Sequence, residues 1–146
     1  MKTAIVYYSL KGSTKKYCES LAKESGADIF EVTEKRHRGM FSAFIPGCPD
    51  AMKQKASVLT EGPIDLTSYD KIVIASPVWA GMPAPAFNSI VKMLPAGKDV
   101  EIHLVSGGGS TEAEAHEKVI ALVEKSGSKV VAFKDIANPS MNGPVK

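Results

Sequence analysis

Ala4-Ile5-Val6-Tyr7-Tyr8, followed by Ser9-Leu10-Lys11-Gly12-Ser13-Thr14, is the stretch whose reading decides how this chain folds. The first part is apolar without alternation, which suits a strand covered on both faces, as in a parallel sheet. It is expected to span residues 2–8. The second part turns on small hydroxyl residues around a glycine and runs into a helical pattern over residues 14–25, with Tyr17, Cys18, Leu21 and Ala22 on one face and Gly26 as its stop. A strand ending in such a turn at a helix start makes a cup of backbone N–H groups over the positive end of the helix dipole. A phosphate fits there without a metal. The alternative for the same residues is a polar turn with a helix cap.

Working outward, strand and helix signals alternate. Further strands are expected at 28–32, 71–76, 100–106 and 129–134, and helices at 83–94, with Phe87, Ile90, Val91 and Leu94 facing inward, and from 111 to about 126. Thr111 and Glu114 have capping-box spacing, and Gly127 is the stop. This alternation predicts a doubly wound five-stranded parallel sheet in one domain spanning 1–146, with an irregular tail from 137. Residues 33–60 are harder to assign: Met40, Phe41, Phe44 and Ile45 recur at helical spacing, and a second short helix is expected at about 50–58.

In such sheets ligands gather beyond the carboxyl ends of the strands, where strand order reverses. Three loops should meet there: Ser9 to Thr14, Pro77 to Met82, and Ser106-Gly107-Gly108-Gly109-Ser110. The first lacks the Gly-Lys-[Ser/Thr] ending of a triphosphate loop, and no G-x-G-x-x-G follows the first strand, so ATP, GTP and Rossmann-type dinucleotides fit poorly. In the second, Ser76-Pro77-Val78-Trp79-Ala80-Gly81-Met82-Pro83 carries the chain's one tryptophan. An indole at this edge is a flat plate suited to stacking on an aromatic ring, although a lone tryptophan also serves as core.

The chain has 146 residues, 44% apolar and 23% charged, with a net charge of +2. That balance gives no footprint for nucleic acid, and no apolar run approaches the roughly 20 residues of a membrane span. The dense basic cluster Lys35-Arg36-His37-Arg38 reads as a solvated loop face or a dock for an anionic partner or a nucleotide phosphate. Cys18 and Cys48 form no C-x-x-C and read as reduced thiols of a cytoplasmic protein. His37, His103 and His116 show no metal-ligand spacing, and His103 and His116 read as structural. No residue stands out as a general acid, base or nucleophile.

The residues Ile5-Val6-Tyr7, Ser9, Gly12, Thr14 and Leu21, with Asp65-Leu66-Thr67-Ser68-Tyr69-Asp70 leading to Ser76-Pro77-Val78-Trp79-Ala80-Gly81-Met82-Pro83, resemble the flavodoxin family over residues 1–133. The resemblance implies strand order 2-1-3-4-5 and one tightly held FMN. Its phosphate would lie on Ser9, Leu10, Lys11, Gly12, Ser13 and Thr14, and its ring against Pro77, Val78, Trp79, Ala80 and Gly81. The backbone at Ser106, Gly107 and Gly108 would border the pyrimidine. It also implies electron transfer between redox partner proteins, or an NAD(P)H-dependent flavin or quinone reductase.

Three departures stand out. The loop after the fourth strand lacks the family's second aromatic, which leaves one ring face open. The sequence pI is near 8.5, whereas carrier flavodoxins are acidic. The helix after the last strand is missing, so residues 40–45 or a second copy in a homodimer are expected to cover apolar sheet surface.

Overall fold

The computed structural model describes residues 2–9, 12–33, 64–79 and 81–137. In chain order these form β1 (Thr3–Tyr8), α1 (Ser13–Ser25), β2 (Asp28–Val32), β3 (Lys71–Trp79), β4 (Met82–Pro83), α2 (Pro85–Val91), β5 (Asp99–Ser106), α3 (Ala113–Glu124) and β6 (Lys129–Ala137). Five strands run parallel in the order β2-β1-β3-β5-β6, and β4 pairs antiparallel with the end of β3. The expected doubly wound sheet is therefore present, with one short strand added. From β1 the chain winds outward to β2, and from β3 it winds the other way to β5 and β6. The order reverses between β1 and β3, where a crevice forms at the carboxyl edge.

The continuous apolar runs explain the layering, because alternate side chains of one strand enter opposite cores. Ala4, Val6 and Tyr8 join Ile72, Ile74, Ile102 and Leu104 in the larger core beneath α2 and α3. Ile5 and Tyr7 join Val73, Ala75 and Val105 in a smaller core with Tyr17 and Cys18 of α1. All of α2 is buried, including Phe87, Ile90 and Val91. It is shorter than the sequence suggested at both ends: Pro83 belongs to β4 and the helix starts at Pro85, while Met93 and Leu94 donate to Ile90 and Val91 in tighter turns beyond its end at Val91. Gly26 ends α1 in the left-handed region at φ 73°, with its N–H on the Ala22 carbonyl.

Three expectations need correction. The third strand does not end at Ser76 but runs through Pro77 and Val78 to Trp79, then returns as Met82–Pro83, so the expected loop is a hairpin. Thr111 and Glu114 form no capping box. Glu112 is the N-cap of α3 and no side chain caps it, while the Thr111 hydroxyl donates to Asp135 Oδ1 at 2.8 Å. The last strand extends three residues beyond Lys134 and carries the extra residue Val131, which shifts its register against Val100 and Glu101 of its neighbour. The helices expected at 40–45 and 50–58, the basic cluster at 35–38 and the tail beyond 137 lie outside the described residues.

Phe87 is fully buried beneath the hairpin and the sheet. Phe87→Ala should lower unfolding stability by about 3–5 kcal/mol, read from urea denaturation of the apoprotein, because the cavity adds to the lost transfer energy.

Candidate functional site

The β1–α1 turn is built from short hydrogen bonds. Ser9 Oγ accepts the Gly12 N–H at 2.9 Å, which curls the loop back on itself. Gly12 lies at φ 98°, where only glycine is at ease, and a Cβ there would meet nothing within 4 Å. The turn thus opens onto free space. The first helical bond of α1 is from the Lys16 N–H to the Gly12 carbonyl at 2.9 Å, so the amides of Ser13, Thr14 and Lys15 have no acceptor within the helix. No side chain caps this end and no acidic residue occupies the first turn.

Thr14 is 2% exposed, yet its hydroxyl finds no hydrogen-bond partner among the described residues. A buried hydroxyl left so costs about 1–3 kcal/mol, and an acceptor entering the turn would recover it. Leu10 and Lys11 lie outside the described residues.

The β3–β4 hairpin is stitched by Ser76. Its buried hydroxyl donates to the Pro77 carbonyl at 2.9 Å and accepts the Ala84 N–H at 3.2 Å, and that N–H also reaches the Pro77 carbonyl at 3.0 Å. Trp79 and Met82 face each other in this hairpin. Trp79 is 9% exposed, packed into the larger core and edge-on to Tyr8, with ring centroids 6.0 Å apart. Pro77 and Val78 are half-buried. Gly81 is exposed at φ 81°, and Ala80 lies outside the described residues.

The loop after β5 repeats the device of the first. Ser106 Oγ accepts the Gly109 N–H at 3.0 Å, and Gly109 takes φ 70°. Gly107 and Gly108 are exposed. The exit of this loop is tied to β6: His116 Nε2 lies 2.9 Å from Asp135 Oδ2 and 2.7 Å from Thr111 Oγ1, and the His116 ring stacks on Phe133 at 4.0 Å. Because β1, β3 and β5 are parallel neighbours, all three loops leave one edge of the sheet.

A second polar network crosses the α1 face. Tyr17 Oη is 2.7 Å from His103 Nδ1, His103 Nε2 is 2.9 Å from Glu101 Oε1, and Glu101 pairs with Lys71. Burial holds His103 below its ordinary value, against the pull of Glu101. Burial pushes the Glu101 carboxyl up, but its hydrogen bonds to Lys71 and His103 outweigh this and hold it low. Burial raises the Tyr17 phenol to about 12 and pushes the Cys18 thiol up, so neither ionises near neutrality. An ionised Glu101 can only accept, so the neutral imidazole carries its proton on Nε2 and Nδ1 accepts from Tyr17. Sequence reasoning placed His103 as structural but missed this network, whose partners are far apart in the chain.

No family model and no curated protein sequence matches the chain. Solved structures do. A flavoprotein from Lactobacillus acidophilus in complex with FMN is similar over 90% of this chain and 91% of its own, with 25% identity and a TM-score of 0.73. The apo-form of the flavoprotein from the same organism aligns over 92% of each chain at 28% identity, with a TM-score of 0.61. Two-electron reduced flavodoxin from Megasphaera elsdenii covers 98% of this chain and 91% of its own, at 21% identity and a TM-score of 0.52. The architecture is that of the flavodoxin-like flavoproteins.

Two measurements follow from the site's electrostatics and its unmet hydroxyl. An unfolded His103 takes up a proton as pH falls through its ordinary 6.5, whereas the folded one resists, so the folded state loses stability on acidification below that value. His103→Gln should flatten the fall of the melting temperature between about pH 7 and pH 5. Thr14→Val should leave apoprotein stability unchanged or slightly raised in thermal melts, because it removes a hydroxyl that has no partner among the described residues.

Proposed function

We propose that this chain is an FMN-binding flavoprotein of flavodoxin type that carries electrons between redox partner proteins. The observation that carries this reading is the β1–α1 turn. It combines an open backbone at Gly12, three amides without helical acceptors, and a buried Thr14 hydroxyl with no partner among the described residues. That donor set fits a phosphate monoester, because it supplies N–H and O–H groups in excess and no carboxylate. The FMN complex among the similar structures supports the same cofactor here.

Each group of residues then has a part. Ser9, Leu10, Lys11, Gly12, Ser13 and Thr14 would hold the phosphate. Pro77, Val78, Trp79, Ala80 and Gly81 would border the ring, with Tyr8 and Met82 backing the indole. Ser106, Gly107 and Gly108 would offer backbone groups to its pyrimidine side. When bound, FMN supplies reversible acceptance of one or two electrons. The chain's contribution is to orient the ring and to set the polarity around it. Gly81, at φ 81°, gives the hairpin tip the freedom to turn a peptide group toward or away from the ring.

A second reading is a reductase using NAD(P)H. It is favoured by the exposure of Gly107 and Gly108, in a loop whose own residues include no aromatic. Oxidation of NADPH with a quinone acceptor separates the two: turnover by the purified protein alone supports the reductase, and turnover only with an added reductase supports the carrier.

Titrating the apoprotein with FMN should give saturable one-to-one binding with a shifted visible spectrum. A protein that neither carries nor binds flavin would overturn the proposal. Thr14→Val should weaken FMN binding by about tenfold to a hundredfold in that titration, as expected for one charge-assisted hydrogen bond. Gly81→Val forces a branched side chain into the left-handed region, at roughly 1–2 kcal/mol, and should shift the reduction potentials in a redox titration.

A further inference from the structure

The Tyr17–His103 hydrogen bond stands apart from the rest of the α1 packing. Helix α1 meets the sheet through a small core in which Cys18 and Ala22 offer little bulk. Within it lies one short polar contact, 2.7 Å long, that joins residues 86 positions apart. His103 is 1% exposed in the middle of β5. Burying an imidazole and a phenol together is costly unless both are satisfied, and here every polar atom is used: Tyr17 donates to Nδ1, and Nε2–H donates to Glu101. Glu101 is in turn held by Lys71 of β3. The groups facing the imidazole are therefore Tyr17 from α1, Glu101 on its own strand, Lys71 from β3 and Lys134, its register partner on β6.

The positions of the two ends matter. Tyr17 lies three residues after Thr14, one helical turn along the same buried face of α1. His103 lies three residues before Ser106, about 10 Å along the strand from the loop that closes on Gly109. One hydrogen bond therefore links the helix start to the strand that carries the opposite loop. An apolar contact would tolerate sliding of α1 along the sheet, whereas a directional bond at 2.7 Å does not.

Resting on the FMN reading above, we infer that Tyr17 and His103 are positioning residues that hold the α1 phosphate seat in register with the Ser106–Gly109 loop, so that both ends of one FMN are met at once. Their effect is on the phosphate end. Freed from His103, α1 can shift relative to β5, and the amides of Ser13 and Thr14 no longer meet the phosphate while the ring stays against the hairpin and loop. Loss of the bond thus reduces the advantage of FMN over riboflavin, which has the same ring and ribityl chain without the phosphate.

The test is to titrate apoprotein with FMN and with riboflavin, in wild type, Tyr17→Phe and His103→Gln, alongside thermal melts of each apoprotein. Wild type should prefer FMN strongly. In both variants the ratio of the two affinities should fall about tenfold, with riboflavin affinity held within about twofold. A merely structural role would lower the melting temperature and weaken both ligands together, leaving the ratio intact, and that result overturns the inference. If Tyr17→Phe does not fold, His103→Gln, which keeps a polar side chain of similar reach, decides by the same ratio. A wild type that binds riboflavin as tightly as FMN would instead defeat the phosphate seat itself, and this inference with it.

Discussion

A helix start can seat an anion only while the helix stays where it is. The α1 amides cost nothing extra to present, since every helix leaves its first N–H groups without internal partners. What is unusual is that, among the described residues, no side chain caps this end, no acid occupies the first turn, and the buried Thr14 hydroxyl has no partner. The sheet makes this arrangement useful. Five parallel strands all present their carboxyl ends at one edge, so the turn after β1 opens beside the hairpin after β3 and the loop after β5.

The two faces of that sheet are held by different means. Beneath α2 and α3 the core is large and apolar, and Phe87, Ile90, Ile102 and Leu104 fill it. The α1 face is thinner, and over β3, β5 and β6 it carries Lys71, Glu101, His103 and Lys134 in neighbouring register positions. The sequence reading expected apolar surface on the sheet in need of cover by residues 40–45 or a second copy. Part of that face instead satisfies itself through the Lys71–Glu101–His103–Tyr17 chain. Interlocked polar groups of this kind are costly to break singly, because each removal strands a neighbour.

How much was legible in the residues depended on how local the cause was. β1, β2 and α1 could be read almost to their ends, because continuous apolar runs, helical spacing and the stop at Gly26 act within a few residues. β3 was cut short at Pro77, since a proline normally ends a central strand. The structure shows why it does not: the β1–β3 register finishes at Tyr7 and Ala75, so a proline at 77 interrupts no bond to β1. Thr111 was misread for the opposite reason. Its spacing to Glu114 suits a cap, but Asp135, 24 positions away, takes the hydroxyl. The same holds for His103, whose partner Tyr17, 86 positions away on α1, no local pattern could reveal. At the site, the turn residues were legible as chemistry, and the bonds that hold them in place were not.

The two loops that begin with serine share one construction, and this has a consequence for the site as a whole. Ser9 and Ser106 each accept the N–H of the glycine three residues on, at 2.9 and 3.0 Å, and each glycine takes a positive φ. In both, the side chain serves the fold of the loop, and in the second it leaves Gly107 and Gly108 exposed. Recognition at this edge would then rest on N–H and C=O groups held in place by Ser-x-x-Gly turns, with few side chains reaching the ligand. A surface defined by backbone imposes little on side-chain identity, provided the glycines and the strand register are kept. Architecture can therefore stay close to that of flavin-binding proteins while the sequence moves far away. The side chains whose bonds fix where each backbone turn stands are Ser9, Ser76 and Ser106 within their loops, and Tyr17 with His103 joins α1 to β5.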